Sequence, residues 1–302
     1  MKLIMESWRR YLDEITLEEG VDDQGIFKAI FLAGGPGSGK SYIAARTTDG
    51  AGLKVVNSDK ALEHLLAASG REDLLDMTNL SAEDEATKEE FRARAKKLSG
   101  NQQAAWCQGK LGQVVDGTGD DYNKIVKLKK QYEVQGYDTY MLFVNTSLDD
   151  AKASNIERNI PSFYVGGVAK GKKVSEDEVE KRDGEYYLKG SDEKVDKKQG
   201  RAVPENVLVQ SWADVQYNKE KFKELFGEEN YALVQNSPNA TPADLDAIWN
   251  AIMKSFLSRP LVNPKALAWI AAEKGVCEIP RPGERVGDQY ARVSDRPPKP
   301  SK

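Results

Sequence analysis

The sequence predicts a doubly wound, parallel α/β sheet with helical extensions at both ends, and three observations predict it. Four short strand-like stretches, at residues 29–33, 53–56, 113–116 and 138–145, alternate with helix-forming ones. The first run stops abruptly at a glycine-rich loop that opens a helix. Acids follow the second run, at Asp59, and end the third, at Asp116. The carboxyl ends of strands are where open sheets of this class bind ligands.

Residues 28–43 read KAIFLAGGPGSGKSYI. Residues 29–33 supply the apolar run of a buried parallel strand. Gly34, four further residues, then Gly39, Lys40 and Ser41 satisfy G-x-x-x-x-G-K-[ST], a phosphate loop in its proper strand–loop–helix setting. The nucleotide-binding residues are therefore Gly34, Gly35, Pro36, Gly37, Ser38, Gly39, Lys40, Ser41 and Tyr42. Backbone N–H groups close around phosphate oxygens only where no Cβ intervenes, and the helix amino end adds partial positive charge. Lys40 is expected to reach the β- and γ-phosphates of ATP, and Ser41 to offer its hydroxyl to Mg²⁺. The sheet is thus of the P-loop NTPase and kinase type.

Composition excludes several chemistries. The chain of 302 residues carries a formal net charge of −4, which argues against broad, charge-driven affinity for nucleic acid while leaving room for a local basic groove. His64 is the only histidine, and Cys107 and Cys277 lie far apart, so no zinc site, Ser-His-Asp triad or disulfide framework is expected. Two free thiols suit a reducing cytoplasm. No apolar run approaches membrane-spanning length and no signal-peptide core is seen, so a cytoplasmic protein, in the host cytoplasm if phage-encoded, is expected.

Taken in order, residues 1–15 place Leu3, Ile4, Trp8, Tyr11, Leu12 and Ile15 on one helical face, able to dock on the core or on a partner protein. An acidic linker to residue 25 follows. Asn57-Ser58-Asp59 closes the second strand and opens a helix. Asp59 is a candidate general base, with helix N-cap as its alternative. Residues 70–80 read as irregular. Ser81 to Asp84 has capping-box character and starts a charged helix to about residue 97, with a second helix from 101 to about 111. Asp116 is placed to hold the Mg²⁺ shell or orient water, with a surface Asp-Gly turn as its alternative. Helices are expected over 122–135 and 148–159, then over 204–226 with Pro204 in the first turn, and a fifth strand over 231–235. Two cap-then-proline helices follow, at 241–257 and 263–274, the second ended by Gly275; this hairpin either packs on the core or serves as an interaction module. The tail from 278 to 302 reads as disordered. The domain from 26 to 236 is thus flanked by residues 1–25 and 237–277.

Four blocks carry a resemblance: GGPGSGKS at 34–41; VVNSD at 55–59; VVDGTG at 114–119 with QGYDTYMLFVNT at 135–146; and QGRAVPENV at 199–207. Over about residues 27–227 the chain resembles the P-loop kinases that include the zeta-toxin family and the kinase half of phage-type polynucleotide kinase. The resemblance implies that Asp59 takes the proton of an acceptor hydroxyl, that Lys40 and Ser41 hold ATP and Mg²⁺, and that Arg201 stabilises the transferring phosphoryl group. Arg158 is a second candidate for that last role. Preorganised cations over a water-excluded site suit such charge, and a surface ion pair is the alternative for either arginine.

The chain departs from the family between these arginines, where residues 160–198 form a long insertion with nearly balanced charge. An enlarged lid with a small hairpin near 185–188 is expected. The resemblance implies a kinase acting on a small-molecule or nucleotide acceptor, a sugar nucleotide in zeta toxins and a 5′-hydroxyl end in polynucleotide kinases. An ATP-binding assembly protein, phage-associated and docked through its terminal helices, is the reading from another class.

Overall fold

The computed structural model describes residues 20–40, 52–75, 80–166, 172–182, 184–198, 203–237, 241, 243–244 and 253–276. The chain forms β1 (Lys28–Ala33), β2 (Lys54–Val56), α1 (Ser58–Ala68), α2 (Ala82–Gln108), β3 (Gln113–Asp116), α3 (Tyr122–Val134), β4 (Asp138–Asn145) and α4 (Leu148–Asn159). Five short strands follow: β5 (Ser162–Val165), β6 (Lys172–Val174), β7 (Val179–Arg182), β8 (Glu185–Leu188) and β9 (Val195–Lys198). Then come α5 (Glu205–Phe226), β10 (Tyr231–Gln235) and α6 (Pro264–Val276). Among these helices none is long and apolar enough to cross a membrane.

The expected sheet is present: five strands in the order β10-β4-β1-β3-β2, every neighbouring pair parallel. β1 lies at its centre and is buried at all six positions, which is why it reads as a continuous apolar run. Its alternation divides two cores. Ala29, Phe31 and Ala33 meet Tyr132 of α3 and Val215, Phe222 and Phe226 of α5 on one face. Ile30 and Leu32 join Val114, Leu142 and Val144 on the other, closed by Phe256 and Leu257.

The described part of the carboxyl-terminal extension is therefore docked on the sheet. The Phe256 ring stacks on Tyr140 at 4.8 Å. Lys28 and Asp138, opposite one another in the β1–β4 register, fix the backbone that follows. Lys28 Nζ donates to the carbonyls of Leu257 and, at 2.7 Å, Arg259. The Asp138 carboxylate accepts the N–H groups of Val262 (2.8 Å) and Asn263 (3.1 Å). Burial pulls the Lys28 ammonium down to about 8 against the attraction of Asp138. Asn263 then caps α6 by accepting the Lys265 N–H, and Trp269 of that helix sits edge-on to Phe27 at 5.4 Å.

Several expectations change. The two helices expected at 81–97 and 101–111 are one, α2, which passes through Ser99 and Gly100 without a break. A single interior glycine costs a helix only about 1 kcal/mol, and Ala95, Ser99 and Cys107 are buried along it. The described part of 70–80 holds a 3₁₀ turn, Glu72–Leu75, whose Leu74 enters the α1–α2 core. α6 runs one residue past Gly275, and Pro204 occupies the N-cap of α5. The helix of residues 1–15, most of 241–252, Cys277 and the tail lie outside the described residues.

The insertion folds as a unit with its own small core. β6-β5-β9 form an antiparallel sheet and β7-β8 a hairpin. Phe163, Val174, Val179 and Val195 pack together beneath Tyr186. The hairpin turns at Gly184, with φ +88°, and includes the expected strand at 185–188.

Because Phe256 fills one face of the sheet, Phe256→Ala should cost roughly 3–5 kcal/mol. Urea unfolding of the full chain should show a lower midpoint at an unchanged slope.

Candidate active site

The site is built where β1 ends. Gly34 donates its N–H to the Thr118 carbonyl at 2.9 Å, which ties the loop to the chain leaving β3. Gly37 and Gly39 have φ of +79° and +83°. A Cβ on Gly37 would lie 2.6 Å from the Ala151 carbonyl of α4, and one on Gly39 would collide with Asn236 Nδ2. Glycine is thus favoured at both positions by torsion, and at Gly37 by space as well. Asn236, just past β10, also donates to the Ser38 carbonyl at 2.8 Å. Gly35 lies against Trp212 of α5, whose Nε1 donates to the Thr146 carbonyl at 3.1 Å. Pro36 falls in the turn between these contacts.

Two polar groups face inward from this loop. Ser38 is fully buried, and its Oγ has no hydrogen-bond partner among the described residues. Lys40 Nζ donates to the carbonyls of Gly34 and, at 2.9 Å, Gly35. Burial pulls the Lys40 ammonium down to about 8; Asp116 opposes the shift, Arg158 reinforces it, and Asp120 and Asp59 add weaker attraction. Four of the residues at issue therefore lie within electrostatic reach of one cation.

Asp116 ends β3, where Asn57 Nδ2 donates to its Oδ2 at 2.6 Å. Burial raises the Asp116 carboxyl above its ordinary range, against the pull of Lys40 and the Asn57 hydrogen bond. Asp116 is thus the half-buried last residue of a strand. Asn57 rather than Asp59 is the N-cap of α1: its Oδ1 accepts the N–H groups of Asp59 (2.7 Å) and Lys60 (3.2 Å). Asp59 sits exposed in the first turn of that helix. Arg158, also exposed, lies in the last turn of α4. Ser41, Tyr42 and Arg201 lie outside the described residues.

Sequence reasoning missed Asn57, Asp120, Trp212, Asn218 and Asn236. Asp120 accepts from Thr118 Oγ1 at 2.6 Å, and its loop is held by the buried Asn218 amide, which donates to the Gly119 (3.1 Å) and Asp120 (2.8 Å) carbonyls. The turn at Gly119, φ +81°, carries Asp120 back toward Lys40. Only Asn57 left a usable signal, as a preferred capping residue two positions before Asp59.

An orphan buried hydroxyl, glycines that admit no Cβ and an inward ammonium fit the oxygens of a phosphate chain. The Asp116 carboxylate at the end of β3 is a hard oxygen donor of the kind that Mg²⁺ takes. Among the described residues no group of three or more His, Cys, Asp or Glu side chains is placed to hold a metal unaided. Mg²⁺ ordinarily uses one or two carboxylates together with water and phosphate oxygens, so this donor set suits it.

Comparison with known proteins identifies the family. Residues 16–182, more than half of the chain, match the family model described as Zeta toxin, and the chain belongs to that family of P-loop kinases. The PezAT chromosomal toxin-antitoxin system of Streptococcus pneumoniae aligns at 14% identity over 90% of this chain and 95% of that one, with a TM-score of 0.43. A Chloroflexus aurantiacus protein described as a kinase aligns at 12% identity over 44% of this chain and 68% of its own, with a TM-score of 0.35. A search of curated proteins found no significant match.

The double duty of Asn57 gives a discriminating test. Asn57→Ala should cost about 0.5–2 kcal/mol through the lost cap. Asn57→Asp keeps the cap but sets a second carboxylate against Asp116, so at neutral pH it should be no less destabilised than the alanine variant. That loss should shrink as pH falls through the carboxylate range, since one of the facing acids then takes up a proton and donates in place of the amide. Denaturant midpoints from pH 7 to pH 4 provide the check.

Proposed function

We propose that this member of the zeta-toxin family transfers the γ-phosphate of ATP to a hydroxyl of a sugar nucleotide. The observation that carries the proposal is the arrangement at the carboxyl edge of the sheet, where Asn57 joins Asp116 at the end of β3 to the amino end of α1 that carries Asp59, beside the loop that holds Lys40, with Arg158 in the last turn of α4. A passive nucleotide-binding module needs no such set.

In this reading the acceptor hydroxyl lies at Asp59. As its oxygen bonds to the γ-phosphorus, the bond from phosphorus to the β-bridging oxygen breaks, ADP leaves and the hydroxyl proton passes to the Asp59 carboxylate. Lys40 and the loop N–H groups meet the negative charge on the β- and γ-phosphates. Arg158, joined by Arg201, meets charge on the transferring group. Ser41 and Asp116 would hold Mg²⁺, which when bound would supply neutralising charge to the phosphates. The side chains of Asp116 and Asn57 hold the far side of the site in register.

Charge supports the choice of acceptor. A 5′-hydroxyl polynucleotide must bring its phosphates to the site, and neither the net charge of −4 nor the balanced insertion offers a basic track for them. The assembly reading also loses ground, because the described carboxyl-terminal residues are spent on the chain's own core.

The test is transfer of labelled γ-phosphate from ATP with Mg²⁺ to a panel of UDP-sugars beside 5′-hydroxyl DNA and RNA oligonucleotides. Labelling is expected in the sugar-nucleotide set, lost on chelation and reduced by about 10²–10⁴-fold in Asp59→Asn. Labelling of oligonucleotides alone would replace the acceptor assignment. No labelling of either class with ATP still bound would sink the transferase reading for these acceptors.

A further inference from the structure

Beyond Ala151, which is wedged against Gly37, none of the described side chains of α4 is fully buried. Ile156 is 67% exposed. Arg158 therefore sits on a helix end that no core packing holds. What does hold it is a pair of hydrogen bonds from Asn155, three residues earlier. Asn155 Nδ2 donates to the Val203 carbonyl at 2.8 Å, and its Oδ1 accepts the Val203 N–H at 2.9 Å. One side chain thus satisfies both backbone groups of a residue 48 positions away. The Lys152–Glu205 ion pair nearby is exposed, and pairs of that kind contribute little.

The partner of Asn155 is itself well anchored. Val203 leads into α5, and α5 grips the site at three points along its length. Trp212 binds the Thr146 carbonyl, Gln216 donates to Asn145 Oδ1 at 2.7 Å, and Asn218 holds the Gly119 and Asp120 carbonyls. The whole inserted subdomain leaves the core after α4 and returns before α5, so Asn155 closes its root. Side chains three apart on a helix share a face, which places Arg158 directly beyond this closure.

We propose that Asn155 is a positioning residue: by pinning the last turn of α4 to Val203 at the root of the insertion, it sets Arg158 toward the phosphate loop for the transferring phosphoryl group. The proposal rests on the phosphoryl-transfer reading for the part played by Arg158. It makes the insertion a loop whose attachment, rather than its own surface, bears on the chemistry. Asn155 supplies one donor and one acceptor to the backbone of a single residue, a task that neither aspartate nor leucine of similar size can perform in full.

The test uses the full chain and compares binding of ADP with binding of ADP plus aluminium fluoride, in Mg²⁺, for wild type, Asn155→Leu, Asn155→Asp, Arg158→Ala and the double variant Asn155→Leu/Arg158→Ala. Aluminium fluoride stands for the phosphoryl group in transfer, so only groups that meet it should respond. Asn155→Leu should bind ADP alone within twofold of wild type and lose at least tenfold of the tightening that fluoride confers. Asn155→Asp, which still accepts the Val203 N–H, should lose less. The double variant should be no worse than Arg158→Ala, the non-additivity of two residues that act as one. Full fluoride tightening in Asn155→Leu, or effects that multiply in the double variant, would overturn the positioning role while leaving the transferase reading intact. If wild type itself shows no tightening, the transferase reading fails and the role of Asn155 falls with it. Melting temperatures separate these outcomes from unfolding, because a purely structural loss would weaken ADP binding in equal measure.

Discussion

The close approach of neighbouring elements to the backbone of the 34–40 loop is the constraint on which the remaining structure depends. Gly37 meets the Ala151 carbonyl of α4, and Gly39 meets the Asn236 amide that follows β10. The first step past β4 and the first step past β10 must therefore reach the loop as well as the strands beside it. That demand is met only if β1 is central and its neighbours deliver their carboxyl ends to the same edge, as the order β10-β4-β1-β3-β2 does. The site is thus a consequence of sheet order, and sheet order is a consequence of burying β1 on both faces.

Charge is organised by the same geometry. Lys40 is desolvated enough to lose much of its preference for the charged form, yet it faces Asp116, Asp120 and Asp59. Each acid comes from a different strand end or helix start, so none can approach the ammonium without the sheet holding it there. Asn57 spaces two of them. By capping α1 with its oxygen and binding Asp116 with its nitrogen, it joins β2 to β3 at the point where like charges would otherwise drive them apart.

Much of this was legible in the residues, for identifiable reasons. Strands buried on both faces read as unbroken apolar runs, so β1, β3 and β4 could be bounded closely. The phosphate loop was legible because its torsions demand glycine. Asp116 was legible because a strand end is a position, and a position can be counted. Asn155, Asn218 and Asn236 were not, since each bonds to backbone between 48 and 198 residues away and nothing local marks a side chain for that use. Lys28 and Asp138 carry no local mark either, yet both are buried anchors for residues 257–263. The α2 helix was split at Gly100 because local propensity argues for a break there, while burial on either side overrides it.

The insertion shows how far charge can be used in the argument. Its nine basic residues are matched by acids, and much of the pairing is internal: Arg182 with Glu180 and Asp192, Lys194 with Glu185, Lys181 and Lys197 over the Tyr186 ring. Cations already occupied by acids and aromatic faces within a self-contained core are poor candidates for a track along a polyanion, whose phosphates would have to displace those partners one by one. Phe163, Val174, Val179 and Val195 close the centre of the subdomain. An appendage attached at one root is placed by whatever that root is fixed to. In this chain the fixed points are the last turn of α4 and the chain entering α5, and both are tied to the elements that grip the phosphate loop.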